Sequence, residues 1–349
     1  MLVPTEKISP QVRKHIRGFY GVVLLFVIAF GISITYSTQL HTISFETLNS
    51  ANSQTSTENS ATVPFPIGVN PSLKLIVEQP TVDYYLTAHL TNQPTSPRHT
   101  SWLTKTLNKL AGNGWYQGLA SPLNRILVIY PGERKEQVAK NFADILGWSN
   151  TEKVEFTDSV SDSVANLSEG MFFPDKYLVT KDTSSQQMAN IINTHFANEV
   201  TSRYTDEVAE LVPLADALTI ASLLEREAYD FEDMRYISGV IWNRLFVDMN
   251  LQIDATLQYA KGTKPSTPVW WPTVRPVDKY IDSPFNTYQN EGLPPEPIAN
   301  PSLDAIVAAL NPRVTDCIFY FHDADSQFHC SPTYEGHVAL LKQYYGRGK

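Results

Sequence analysis

Residues 218–231 read LTIASLLEREAYDF, and the fold turns on whether this stretch belongs to the interior or to the surface. Ile220, Leu223, Leu224 and Phe231 fall at helical spacing with alanines between them, so the stretch reads as a helix that is apolar around most of its circumference. Two glutamates, Glu225 and Glu227, nonetheless close it. On a helical wheel Glu225 neighbours Ala221, Ser222, Ala228 and Tyr229, at the edge of a polar strip of Thr219, Ser222 and Arg226. Glu227 neighbours Ile220, Leu223, Leu224 and Phe231 instead. Apolar surroundings penalise a carboxylate, so Glu227 is expected to have the more strongly raised pKa and to be the better proton donor at neutral pH. The alternative for any such pair is two surface glutamates, ion-paired to Arg226 or Arg235.

A second helix is expected directly after the first. Asp230 is placed to cap it, Glu232 and Asp233 suit its first turn, and Met234, Ile237, Val240, Ile241 and Leu245 form its stripe. Upstream, residues 124–148 (NRILVIYPGERKEQVAKNFADILGW) read as strand, Pro-Gly turn and helix, and Ser185–Val200 as a further helix. Downstream, MNLQIDATLQYAKG (249–262) leads into a long connection rich in proline and aromatic residues, and such connections tend to carry function. A helix over Ser302–Leu310 and a hairpin around Asp323–Ser326 complete a mixed α+β fold. Cys317 and Cys330, the chain's two cysteines, face one another across that hairpin. They are a disulfide in an oxidising compartment, or two small core residues otherwise.

The N-terminal part differs in kind. Gly18 to Tyr36 carries no charged residue and matches the roughly 20 residues of a membrane-spanning helix. Lys7, Arg13, Lys14 and Arg17 precede it and no Lys or Arg follows until Lys74, which predicts a cytoplasmic N-terminus and a single-pass plasma-membrane protein with its bulk outside. A cleaved signal peptide is the alternative, but the apolar run is long for one and no small-residue cleavage site follows it closely. Thr47–Pro64 is too polar to bury a core and reads as a tether. The expected organisation is a cytoplasmic stretch 1–17, a transmembrane helix 18–36, a tether 37–64, an N-terminal ectodomain region 65–200 and a C-terminal domain 201–345. A net charge of −9 argues against nucleic acid as a partner.

Candidate binding groups cluster in the C-terminal half. Gln252, Asp254, Thr256 and Tyr259 offer hydrogen-bonding groups suited to sugar hydroxyls and acetamides, although Asp254 also suits the cap of a short helix ending at Gly262. Asn286, Thr287 and Tyr288 precede a rigid Gly-Leu-Pro-Pro turn and serve either as a groove wall or as a loop clamp. Trp270 and Trp271 are sugar-stacking rings or core anchors. His322, His329 and His337 lie together near the C-terminus, with no common metal-ligand spacing, so no metal and no cofactor is expected.

Taken together, LTIASLLERE, GVIWNRL, MNLQIDATLQYAKG, FNTYQNEGLPPEPIANPSLDAIVAALNP and FHDADSQFHCSPTYEGH resemble, in order and spacing, the endolytic murein transglycosylase or YceG-like family. YPGERKEQVA and SEGMFFPDKYLV resemble its upstream motifs. The likeness covers roughly residues 124–337. It implies a membrane anchor, a small LysM-like α/β unit and a catalytic domain that cleaves peptidoglycan glycan strands without water. In that reading Glu227 matches the catalytic glutamate, and Glu225, Gln252, Asp254, Thr256, Tyr259, Asn286, Thr287, Tyr288, His329 and His337 are supporting or substrate-binding. Cell-wall synthesis proteins are candidate partners. The region before Asn124 departs from the family pattern, and Glu296 stands where a small residue is commoner. The rival readings are a muramidase that hydrolyses the same bond, with Asp254 as the second carboxylate, and a non-catalytic peptidoglycan-binding scaffold.

Overall fold

The computed structural model describes residues 63–80, 82, 85, 124–161, 167, 169–262 and 269–346. The expected transmembrane helix at 18–36 and almost all of the tether lie outside these residues. Among the described residues no helix is long and apolar enough to cross a membrane.

The chain enters through a short antiparallel pair, β1 (Val69–Asn70) and β2 (Leu75–Ile76). This entry segment is laced to the far C-terminal half, because Gly68 N–H donates to Leu310 O and Asn311 Nδ2 to Pro66 O. From Asn124 comes a βααβ unit of β3 (Asn124–Val128), α1 (Lys135–Leu146), α2 (Asn150–Ser161) and β4 (Lys176–Thr180), with β3 and β4 paired antiparallel. The strand, turn and helix expected at 124–148 are therefore present. Helix α2 was not legible, because Phe156 and Val160 are buried while Val154 on the same helix is exposed, leaving no continuous stripe. Helix α3 (Ser185–Glu199) follows the expected range and opens with a capping box, Ser184 to Gln187 N–H and Gln187 back to Ser184 N–H.

After α4 (Asp206–Leu211) come α5 (Leu214–Glu227) and α6 (Phe231–Phe246). Every residue of α5 from Ala217 to Glu225 is buried, so this is a helix of the interior. It ends at Glu227, with both glutamates in its last turn and Asp230 capping the next helix as expected: Ala228 is extended, Asp233 accepts Tyr229 N–H at 2.8 Å, and Asp230 caps α6 by accepting Asp233 N–H at 2.9 Å. These two reciprocal bonds fix the start of α6 and separate it from α5. Helices α7 (Asp254–Gly262) and α8 (Leu303–Leu310, capped by Ser302) pack on α5, and the eight residues of α8 are buried except Asp304. The hairpin of β5 (Phe319–His322) and β6 (Phe328–Ser331) packs on α6 and on α9 (Tyr334–Tyr345). Cys317 and Cys330 form a disulfide at its base, with Cα atoms 5.7 Å apart. The fold is thus mixed α+β, and one apolar core runs from Phe65 through the βααβ unit to Leu310.

Candidate active site

The two glutamates of α5 face different neighbours. Glu225 is only 2% exposed, and its Oε2 accepts both the N–H of Ser302 at 3.1 Å and its hydroxyl at 2.7 Å. Ser222, one turn earlier, accepts Ile298 N–H at 3.0 Å. The edge of the polar strip on the wheel is therefore the surface that receives the backbone at Ile298 and Ser302 and fixes the start of α8. Polar side chains are needed there because buried N–H groups must find acceptors.

Glu227 sits in the last turn of α5 and remains part-exposed. Tyr320, on β5, donates its hydroxyl to Glu227 Oε2 at 3.1 Å. The first turn of α7 supplies the backbone N–H of Ala255, a group without an intrahelical acceptor. Burial is the largest influence on Glu227 and pushes its pKa above the ordinary glutamate value. The Tyr320 hydrogen bond pulls it down, the Asp254 charge raises it, and the Ala255 N–H and His322 lower it. The raised pKa expected from apolar surroundings is present, although the contacts that set it come from β5 and α7 rather than from the neighbours on the wheel.

Around this carboxyl, Asp254 is exposed and accepts the Tyr288 hydroxyl at 2.7 Å. Burial, with the charge and hydrogen bond of Asp254, holds Tyr288 well above its usual range. Gln252 is exposed beside it, with a left-handed backbone at φ 52°. Thr256, Asn286 and Thr287 lie inside the protein. Thr287 Oγ1 accepts Ile253 N–H at 3.0 Å and meets Thr256 Oγ1 at 3.0 Å, while Asn286 Nδ2 donates to Lys279 O and Ile281 O. Thr287 and Thr256 thus clamp the long connection against the start of α7, and Asn286 braces the connection internally. Tyr259 is also buried, its ring under the Arg134 guanidinium at 4.1 Å and against Phe285 at 4.7 Å. Trp271 stacks under Arg226 at 3.9 Å.

Of the histidines, His322 bonds Asp233 at 2.8 Å and lies edge-on to Tyr229, beside the carboxyl. His329 bonds Asp323 at 2.7 Å and packs on Tyr344, and His337 stacks on Phe319. Burial and the Arg244 charge hold the pKa of His337 below its usual value. His329 and His337 thus belong to the packing of the hairpin on α9. Tyr320 was not among the sequence candidates. The alternation of FYFH does put Tyr320 and His322 on one strand face, but nothing local says that this face meets α5.

Asn300 makes the densest set of hydrogen bonds described between the βααβ unit and this centre. Asn300, fully buried, donates its backbone N–H and Nδ2 to Glu133 O at 2.9 and 2.8 Å, accepts Phe172 N–H on Oδ1 at 3.0 Å, and offers its carbonyl to Gly132 N–H at 2.8 Å. Gly132 (φ 80°) lies against Arg226 and Glu225, and Gly170 (φ 90°) against Pro297 so closely that a Cβ there would stand 2.8 Å from the proline ring. Two further carboxyls are buried at this junction. Burial pushes Glu133 up to about 7 and Glu169 up to about 8, and Glu169 accepts Lys135 N–H at the start of α1.

Residues 99–343 match the model of the YceG-like family. An endolytic murein transglycosylase of Bacillus subtilis is 32% identical over 217 residues, 60% of this chain and 58% of that protein. One of Streptococcus pneumoniae is 34% identical over 155 residues, 44% of this chain and 28% of that protein. The chain therefore spans less than two thirds of the length of either relative. The crystal structure of a YceG-like protein from Listeria monocytogenes is similar at a TM-score of 0.53 and 27% identity, covering 62% of this chain and 75% of that one. With the family model extending over most of the sequence, the chain belongs to the YceG-like family.

Proposed function

We propose that the protein is a lytic transglycosylase that cleaves the N-acetylmuramic acid to N-acetylglucosamine bond of peptidoglycan glycan strands, with Glu227 as its single acid and base. The observation that carries this reading is a part-exposed carboxyl whose pKa is raised by burial and which two fixed donors orient. The names of the bacterial relatives support the substrate. Protonated Glu227 gives its proton to the glycosidic oxygen as the bond to C1 breaks. The carboxylate then takes the proton of the same sugar's C6 hydroxyl while that oxygen bonds to C1, leaving a 1,6-anhydro end. No water is consumed.

Glu225 holds Ser302 and so the framework behind Glu227, while Gln252, Asp254 and Tyr288 are the polar groups that meet sugar. Asp254 also favours a second reading, a muramidase in which it activates water, because it is exposed and its charge acts on Glu227. Digestion of purified glycan strands separates the two. Anhydromuramic ends by mass spectrometry are the expected product, and reducing ends would establish the muramidase.

The anchor belongs to the same proposal. Residues 18–36 span the plasma membrane with 1–17 in the cytoplasm, residues 37–64 tether the ectodomain, the βααβ unit is the LysM-like part of region 65–200, and residues 201–345 are catalytic. The asymmetry of Lys and Arg around 18–36 supports this orientation. Alkaline phosphatase fused after Pro64 is expected to be active. An inactive phosphatase with a fluorescent cytoplasmic reporter at the same point would reverse the orientation and remove access to the wall.

A further inference from the structure

Tyr320 stands out among the groups around Glu227 because its position is over-determined. The hairpin that carries it is closed by the Cys317–Cys330 disulfide, and Tyr320 pairs with Cys330 across the strands. Its ring stacks on Phe328 at 5.9 Å. Helix α6 grips the incoming strand from behind: Asn243 donates to Thr315 O and Cys317 O, and Arg244 Nε to Ile318 O at 2.6 Å. Since α6 follows α5 after a three-residue turn, the phenol is held at a set height over the last turn of α5 by the element next to it. Its hydroxyl donates to Glu227 Oε2.

We infer that Tyr320 is a positioning residue for the acid–base carboxyl, confining the transferable proton of Glu227 to Oε1 and stabilising the carboxylate that remains after it leaves. The inference rests on the reading of Glu227 as the acid and adds the device that makes one carboxyl serve twice. While the phenol donates to Oε2, a proton on the carboxyl resides on Oε1, so that one oxygen faces the glycosidic bond as donor. Once that proton has gone to the leaving oxygen, the same phenol bond, with the Ala255 N–H, stabilises the negative charge until the C6 hydroxyl returns a proton. Burial raises the Glu227 pKa, and the two donors oppose that shift by stabilising the carboxylate. Tyr320 keeps its own proton, because burial and the Glu227 charge hold it well above its usual pKa. The other groups bearing on the carboxyl are Asp254 from α7, His322 from β5, Arg244 from α6 and Tyr288 from the long connection, with Asp233 of α6 acting on Tyr320.

The test is Tyr320→Phe in the full chain, which keeps the ring against Phe328 and removes only the hydroxyl. Two readouts are taken: the pH dependence of glycan cleavage, and the titration of the Glu227 carboxyl by carbon NMR, its resonance identified by its absence from Glu227→Gln. Loss of one hydrogen bond to a charged group predicts a fall of about tenfold or more in rate at the optimum. It also predicts that the carboxyl titration and the high-pH limb both move to higher pH, which a merely structural loss would not do. An unmoved NMR titration overturns the role of Tyr320 whatever the rate. A carboxyl titration that moves while the limb stays supports the contact and removes Glu227 as the acid, so the two failures are distinguishable.

Discussion

Replacing Glu227 by Gln is expected to lower the rate of glycan cleavage at least about a hundredfold, the scale of a lost general acid–base group, with the fold and glycan binding retained. Glutamine keeps the shape and can still accept from Tyr320, so what disappears is the titrating proton. The sign of the pH dependence follows from the direction of the shift. Burial raises the Glu227 pKa above the ordinary value, so the protonated donor persists further toward neutral pH, and activity falls as pH rises through that raised value. In Glu227→Gln this limb is absent. Glu225→Gln is expected to be milder, less than about tenfold, since glutamine still offers one acceptor to Ser302. Near-normal cleavage by Glu227→Gln with a dead Glu225→Gln would mean that the chemistry belongs to the other carboxyl.

The second large effect is expected on stability. Asn300→Ala removes a donor to Glu133 O and the acceptor of Phe172 N–H. The latter is left buried without a partner, and together these cost about 3 kcal/mol. For a unit of this size that corresponds to a melting temperature lower by about 5–10 °C, measured by thermal unfolding of the full chain. Asn300→Asp is expected to be at least as damaging despite its identical shape, because it turns a carboxylate oxygen toward the Glu133 carbonyl in a dry interior. If both variants melted with the parent, the junction between the βααβ unit and α5 would not depend on Asn300, and the coupling described here would be wrong.

Much of this architecture was legible because local chemistry specifies it. Asp230 is a cap whose preference needs no partner beyond its own helix. The stripe of α6, the helix α3 and the hairpin around Asp323–Ser326 follow from periodicity and turn residues in the same way. What escaped depends on partners distant in the chain. The burial of Glu225 is set by Ser302, 77 residues on, and the importance of Tyr320 by a contact 93 residues back. Tyr259 looked like a sugar-binding hydroxyl because nothing in LQIDATLQYAKG announces that Arg134, from the βααβ unit, covers its ring. The wheel ranked the two glutamates by their own helix, whereas the environment that separates them comes from α7, α8 and β5. Why two glutamates close a buried helix is thereby accounted for in our reading: one accepts buried backbone and hydroxyl groups, and the other keeps a proton.

The most direct measurement of the central claim, that one carboxyl cleaves the glycan without water, is digestion of glycan strands in H2(18)O followed by mass spectrometry of the new muramic ends. Anhydro ends carrying no (18)O are expected, formed by the parent and not by Glu227→Gln. Ends that carry one (18)O from the solvent would show that water is the nucleophile and contradict it.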